Sequence, residues 1–120
     1  MNFEKALIDT TIWILYFRGE EKIKKDIQSL ILEDRASTCQ IIIFEILRGA
    51  KSKKEYDKLY NGLKALTVLP LNESIWEESY KVGFELKKAG IDVPLVDLLI
   101  AMLAYHYKCL LIHRDKHFSL

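Results

Sequence analysis

Cysteine and proline are scarce in this chain, with two of each among 120 residues. Cys39 and Cys109 lack the close spacing of a cysteine metal site, and neither needs a disulfide partner. Each lies beside an apolar run, so we interpret both as small buried core residues. Thiol-based metal binding is therefore not expected here.

Long apolar runs are also missing. No stretch reaches the roughly 18 residues that a membrane-spanning helix requires, and the first residues lack the basic and apolar regions of a signal peptide. We therefore expect a cytoplasmic protein without membrane contact.

No excess charge of one sign is present, since the net charge is only +1. This net charge does not by itself imply a polyanionic partner. Basic residues nevertheless concentrate at Lys22 to Lys25 and between Arg48 and Lys64. These groups are either solvated helix faces or a phosphate-contacting surface.

Hydrophobic residues make up 50% of the chain, which is typical of one globular domain with a single core. Short apolar strands alternate with amphipathic helices. We predict strands at 4–8, 35–38, 67–69 and 109–112, and helices at 10–17, 20–33, 40–50, 53–66, 72–89 and 95–107. The segment 40–50 begins with several β-branched residues, so strand and helix propensities compete there, and we favour a helix. This alternation predicts an α/β fold, a three-layer α/β/α single domain over residues 1–120 with a short central parallel sheet.

Four acidic residues lie within or directly after apolar segments: Asp9, Glu45, Asp97 and Asp115. An ionised carboxylate among apolar residues is costly unless a cation or hydrogen bonds compensate for the lost water. Four such groups spread over the chain suggest that the fold gathers them around a hard divalent ion, which prefers oxygen ligands.

Each acidic residue also has a purely structural interpretation. Asp9 could cap the following helix, and Asp115 could be a turn residue. Asp97 could be stabilised by the positive N-terminal end of the helix after Pro94. Glu45 could pair with Arg48 one helical turn away. The functional interpretation depends on all four together.

These residues lie in four short motifs that resemble, in order and spacing, the acidic motifs of PIN-domain ribonucleases. The motifs are Leu7 to Trp13, Ile43 to Gly49, Val93 to Ala101 and Leu111 to Phe118. The resemblance extends over nearly the whole chain and is greatest to the VapC toxins of type II toxin–antitoxin modules.

The resemblance implies a metal-dependent endoribonuclease that cuts RNA phosphodiester bonds with a metal-activated water. Asp9, Glu45, Asp97 and Asp115 would surround one or two Mg²⁺ or Mn²⁺ ions, and Thr11 would support the pocket. The resemblance also implies a homodimer and a cognate antitoxin held in a groove near the first helices. Trp13, Tyr16 and Phe17 on the first helix are expected either in the core or partly on such an interface.

Two departures from the family pattern leave an alternative open. His117 stands where many relatives carry a further acidic residue. The chain also ends at Leu120, soon after Phe118, whereas relatives usually continue into a final short strand. The alternative is a non-catalytic PIN-like module that binds RNA or protein through a degenerate acidic pocket. Arg48, Arg114 and Lys116 are candidate RNA contacts under the first interpretation.

Overall fold

The fold is built from four strands and six helices that alternate along the chain. The structure, a computed structural model, describes residues 5–113. The strands are β1 Ala6–Ile8, β2 Ala36–Thr38, β3 Thr67–Val68 and β4 Leu110–Ile112; the helices are α1 Thr10–Phe17, α2 Glu21–Leu32, α3 Gln40–Arg48, α4 Lys53–Lys64, α5 Glu73–Lys88 and α6 Leu95–His106. Each predicted element is present, with bounds shifted by at most two residues within the described part.

The sheet is parallel throughout, in the order β3-β2-β1-β4. Strand β1 lies between β2 and β4, with Leu7 level with Ser37 on one side and Leu111 on the other. All three residues of β1 are fully buried. An all-apolar strand buried on both faces is what a parallel sheet covered by helices requires.

The connections between strands place helices on both faces of this sheet. The chain moves outward from β1 to β2 to β3, with α1 to α4 between them, and then returns past β1 to β4 through α5 and α6. Right-handed crossovers in opposite directions put the two helix groups on opposite faces. Helix α1 contacts α2 and α3, α3 contacts α4, and α5 packs on α6. The predicted three-layer α/β/α domain is confirmed.

Local sequence signals explain where helices begin and end. The Asn72 side chain accepts a hydrogen bond of 3.0 Å from the backbone N–H of Ile75 at the start of α5, as a favoured N-cap residue does. Gly90, just after α5, has a φ of +80°, a conformation that glycine adopts without steric cost. Within residues 5–113, no helix combines the length and apolar character that crossing a bilayer requires.

The segment 40–50, where strand and helix propensities compete, forms helix α3. Ile42 and Ile46 of this helix are buried on the sheet side, so the apolar spacing of a helix outweighs the β-branched composition. This choice matters for the site, because it places Glu45 on a helix beside the first strand's end.

Candidate active site

Asp9 lies at the point where the strand order reverses. It directly follows β1, and its backbone N–H donates a 3.0 Å hydrogen bond to the carbonyl of Ile112 in β4. The chain leaves β1 toward β2 on one side, while β4 pairs on the other. Ligands of open parallel sheets bind at this kind of switch point, outside the carboxyl ends of the strands. Asp9 is only 7% exposed there.

The capping interpretation of Asp9 receives no support from its geometry. Asp9 occupies the N-cap position of α1, and its backbone carbonyl accepts hydrogen bonds from the N–H groups of Ile12 and Trp13. Its side chain, however, makes no capping hydrogen bond to the helix. The side-chain hydrogen bond that the capping interpretation requires is therefore not formed.

Glu45 reaches the same region from α3. Its Oε1 atom accepts a short hydrogen bond of 2.6 Å from the hydroxyl of Thr10, the residue after Asp9. Among the ion pairs within residues 5–113, none joins Glu45 to Arg48, so the alternative of a helix-surface ion pair is not realised. The Thr10 hydroxyl orients one carboxylate oxygen of Glu45 and leaves the other free to bind a ligand.

The environment of Cys39 places both carboxylates close to one point. Burial raises the pKa of the Cys39 thiol, and the negative charges of Glu45 and Asp9 raise this pKa further, against two backbone hydrogen bonds that lower it. A buried thiol with a raised pKa is a poor nucleophile and a poor soft-metal ligand at neutral pH. The region is therefore an oxygen-donor site, with Cys39 as packing.

Asp97 lies in the first turn of α6 and is half-buried. Helix α6 leads through a short connection into β4, so it runs antiparallel to that strand. Its first turn therefore lies at the carboxyl ends of the strands, the edge that also carries Asp9. The positive end of the helix favours a carboxylate at this position, which is compatible with both the structural and the functional interpretation.

The remaining predicted site residues lie in different places. Thr11 is exposed in the first turn of α1, and it is Thr10 that bonds to Glu45. The position of Thr10 directly after Asp9 is the sequence signal that points to this hydroxyl. Arg48 is exposed in the last turn of α3. Asp115, Arg114, Lys116 and His117 lie outside the described residues.

The donor chemistry of the site fits Mg²⁺ or Mn²⁺. Both ions prefer carboxylate oxygens, and Asp9 and Glu45 supply such oxygens. Within residues 5–113, however, no three acidic, histidine or cysteine side chains lie close enough to form a metal site. A complete ligand set therefore needs water or residues beyond this range.

A groove of about 440 Å³ adjoins the site between α1, α3 and α4. We call it the α1–α4 groove. Its apolar wall includes Ile14 and Phe17 of α1, which are 38% and 42% exposed. Arg18, Lys51 and Lys58 contribute positive charge, and Glu45 is part of its lining. A molecule that occupies this groove would therefore touch Glu45.

The aromatic residues of α1 divide between core and groove. Trp13 is buried, and its ring contacts both Tyr16 and Phe17, with centroids 5.6 Å and 5.8 Å away. Tyr16 is half-buried, whereas Phe17 lines the groove. The core interpretation is thus confirmed for Trp13, whereas the interface interpretation of Phe17 stays a prediction.

Comparison with known proteins identifies the family to which this geometry belongs. Residues 6–120 match the PIN domain family. Ribonuclease VapC11 of Mycobacterium tuberculosis and a VapC ribonuclease of Mycobacterium bovis are each 32% identical to this chain, over 94% of it and 88% of the relative. The chain therefore belongs to the PIN-domain family, and its curated relatives are VapC proteins.

Solved structures with the same fold include a toxin–antitoxin complex and two VapBC structures. VapBC2 of Rickettsia felis, bound to a promoter DNA fragment, matches with a TM-score of 0.80 and 18% identity over 95% of this chain and 90% of the other. A toxin–antitoxin complex of Klebsiella pneumoniae matches with a TM-score of 0.77 and 24% identity, over 93% of this chain and 88% of the other. VapBC-1 of Haemophilus influenzae matches with a TM-score of 0.73 and 26% identity, over 95% of this chain and 90% of the other.

Proposed function

We propose that this protein is a metal-dependent endoribonuclease and the toxin of a type II toxin–antitoxin module. The observation that carries the proposal is the buried carboxylate of Asp9 at the switch point of the sheet, with Glu45 beside it. The names of its relatives support the same activity, since they are ribonucleases at 32% identity. We also propose a cytoplasmic location, where an RNA substrate would be present.

Asp9, Glu45, Asp97 and Asp115 would hold one or two Mg²⁺ or Mn²⁺ ions. When bound, such an ion supplies Lewis acidity that neutralises phosphate charge and lowers the pKa of a water molecule. Asp9 is fixed by its backbone bond to β4, and Glu45 is fixed by Thr10. The main chain at Asp9 and the carboxylate of Glu45 are therefore held in place before the substrate arrives, which reduces the cost of ordering the site.

Positive residues around the site would bind the RNA backbone. Arg48 is exposed on the helix that carries Glu45, and Arg114 and Lys116 follow β4 in the sequence. Such contacts to phosphate position the substrate without reading its sequence. Single-stranded loops are the RNA form in which the scissile bond and the bases are most accessible.

The direct test is incubation of the purified chain, free of any partner, with total RNA. We expect discrete fragments with Mg²⁺ or Mn²⁺ and none with EDTA, because the carboxylates alone cannot neutralise an anionic phosphodiester. The same preparation with an Asp97→Asn substitution is the matched control and should not cleave. Cleavage that persists in EDTA, or in this variant, would contradict the metal-dependent mechanism.

Thr10 and Thr11 give a paired test of how the site is organised. We expect Thr10→Val to reduce the cleavage rate by about 10- to 100-fold, because the residues that orient metal ligands typically contribute this much. Thr11→Val, a matched substitution of an exposed neighbour, should have little effect. Initial rates on one defined RNA fragment measure both. A larger loss in Thr11→Val would instead make Thr11 the supporting hydroxyl.

The α1–α4 groove is our proposed site for the antitoxin. Its apolar wall and mixed charges suit an amphipathic peptide segment, and a segment in the groove would lie against Glu45 and block access to the site. Inhibition would then follow from occupancy alone. Ile14→Asp should weaken capture of the co-encoded antitoxin without reducing RNA cleavage; unchanged capture would place the antitoxin elsewhere.

We also propose a homodimer.

A further inference from the structure

One flank of α4 carries two stacked tyrosine rings, each with a lysine ammonium group over it. Tyr56 and Tyr60 lie about one helical turn apart and are 36% and 40% exposed. Their ring centroids are 6.0 Å apart, and their planes differ by only 11°. The Lys53 Nζ atom lies 5.1 Å from the centroid of the Tyr56 ring, and the Lys64 Nζ atom lies 5.9 Å from that of Tyr60. Both distances are within the range of a cation–π contact.

These four residues form one stripe along the helix. Positions 53, 56, 60 and 64 recur at three- and four-residue spacing, which places them on one side of a helix. Asp57 lies beside the stripe and accepts a 2.7 Å hydrogen bond from the Lys53 Nζ atom. We call this surface the α4 outer face, defined by Lys53, Tyr56, Asp57, Tyr60 and Lys64.

The α4 outer face is separate from the α1–α4 groove. The groove is lined by Glu55, Lys58 and Leu59 of the same helix, and the 3.6-residue turn places these positions on the other flank of α4. Neither Tyr56 nor Tyr60 lines the groove. The antitoxin site proposed above therefore does not include the two tyrosine rings.

The charge around the two rings is positive. From Arg48 to Lys64 the chain has six basic residues against two acidic ones, and all six basic residues are exposed. Exposed aromatic rings within a positive surface are the combination by which proteins hold single-stranded nucleic acid, because bases stack on the rings and phosphates meet the cations. An acidic peptide would match the charge but offers no flat faces to the two rings. A duplex keeps its bases stacked inside, so they are not available for the rings.

We propose that the α4 outer face binds unpaired nucleotides of single-stranded RNA, with bases stacked on Tyr56 and Tyr60 and neighbouring phosphates held by Lys53 and Lys64. The proposal rests on the ribonuclease function proposed above and adds a second RNA contact outside the cleavage site. Two near-parallel neighbouring rings suit two successive bases of one strand. The carboxylate of Asp57 opposes phosphate binding at one point, and its removal strengthens the contact.

The direction of α4 connects this face to the cleavage site. Helix α4 leads through a short connection into β3, so it ends at the amino edge of the sheet and begins nearer the carboxyl edge, which carries Asp9. Lys51, just before α4, lines the α1–α4 groove together with Glu45. A strand that lies along the α4 outer face therefore extends toward the acidic site. The face supplies affinity for a long RNA and takes no part in the chemical step.

The first experiment measures RNA binding by the full chain in EDTA, with fluorescence anisotropy of a labelled oligouridylate of about 12 nucleotides. We expect Tyr56→Ala and Tyr60→Ala each to raise the dissociation constant by about tenfold, since each removes one stacked base. Tyr60→Trp keeps an aromatic face and should bind like the natural protein. Tyr105→Ala is the matched control, because Tyr105 is 75% exposed on α6, and it should have no effect. Circular dichroism verifies that each variant is folded.

The salt dependence of the same binding separates stacking from charge. Lys53→Gln and Lys64→Gln should each lower the slope of log Kd against log salt concentration by about 0.7, the value for one phosphate contact to a single strand. The tyrosine variants should leave this slope unchanged. Asp57→Asn should tighten binding, and Lys24→Gln, a change of charge on exposed α2, should have no effect.

Several results would overturn the proposal. These are no saturable binding by the natural protein, unchanged affinity in both tyrosine variants, or equally tight binding of a duplex RNA of the same length. Loss of antitoxin capture in the tyrosine variants with unchanged RNA binding would assign the face to that partner instead. RNA cleavage is assayed separately, with metal present. Cleavage without binding at this face would refute the face alone, whereas binding by a chain that cleaves no RNA would refute the ribonuclease alone.

Discussion

Replacing Asp9 by asparagine should abolish RNA cleavage, with a rate loss of about 100-fold or more. The substitution is nearly isosteric but removes the charge that would attract a divalent ion. A metal ion contributes several kcal/mol of transition-state stabilisation, and each 1.36 kcal/mol corresponds to tenfold in rate. Initial rates on a defined RNA, with Mg²⁺ or Mn²⁺ in excess, measure the effect.

The same substitution should leave the fold intact. Asp9 is held in place by its backbone bond to Ile112 and by the first turn of α1, and neither depends on the carboxylate. Active-site charges commonly reduce stability, so we expect the metal-free variant to melt at the same temperature as the natural protein or higher. Asp26→Asn, an exposed carboxylate on α2, is the matched control and should cleave normally. Full activity of Asp9→Asn would refute the site.

The largest effect on stability is expected from truncation of Leu103 in α6. Leu103 is fully buried, and a buried leucine replaced by alanine costs about 2–5 kcal/mol, because transfer free energy is lost and a cavity remains. Helix α6 carries Asp97 in its first turn and leads into β4. Its packing therefore holds one side of the site, although Leu103 itself is far along the helix from Asp97.

Urea unfolding at a single protein concentration measures this loss, and keeping the concentration fixed removes any contribution from association. Leu32→Ala is the matched control, since Leu32 is 86% exposed at the end of α2. It should change the free energy of unfolding by less than about 0.5 kcal/mol. A Leu103→Ala variant as stable as this control would mean that α6 is not packed as the structure describes.

The fold could be predicted from local patterns because each element carries its own signal. Three consecutive apolar residues predict strand β1. Asn72 marks the start of α5 and Gly90 marks its end, and Pro94 precedes α6. The parallel order of the strands also follows, since helices separate them. The strand order β3-β2-β1-β4 did not follow from any local pattern, because it depends on which side of β1 the last strand pairs.

The site could be predicted only in part. Carboxylates among apolar residues predict a compensating cation or hydrogen bond, which points to Asp9 and Glu45, and the structure brings both beside Cys39. The role of Thr10 could not be separated from that of Thr11 by sequence, since the first turn of α1 decides which hydroxyl faces α3.

The alternative of a non-catalytic module makes a different prediction about metal. A degenerate pocket would keep Asp9 and Glu45 but would bind no ion specifically. The absence of a three-ligand cluster within residues 5–113 is compatible with this alternative, and with a site that residues after β4 complete. Metal binding therefore separates the two more directly than activity does.

The most direct test of the account is a Mn²⁺ titration of the purified, partner-free protein, followed by electron paramagnetic resonance. We expect saturable binding of one or two ions per chain, lost in Asp9→Asn and weakened in Asp115→Asn, with Asp26→Asn unchanged. No saturable binding, or equal binding in Asp9→Asn, would contradict the claim that these carboxylates form a metal site.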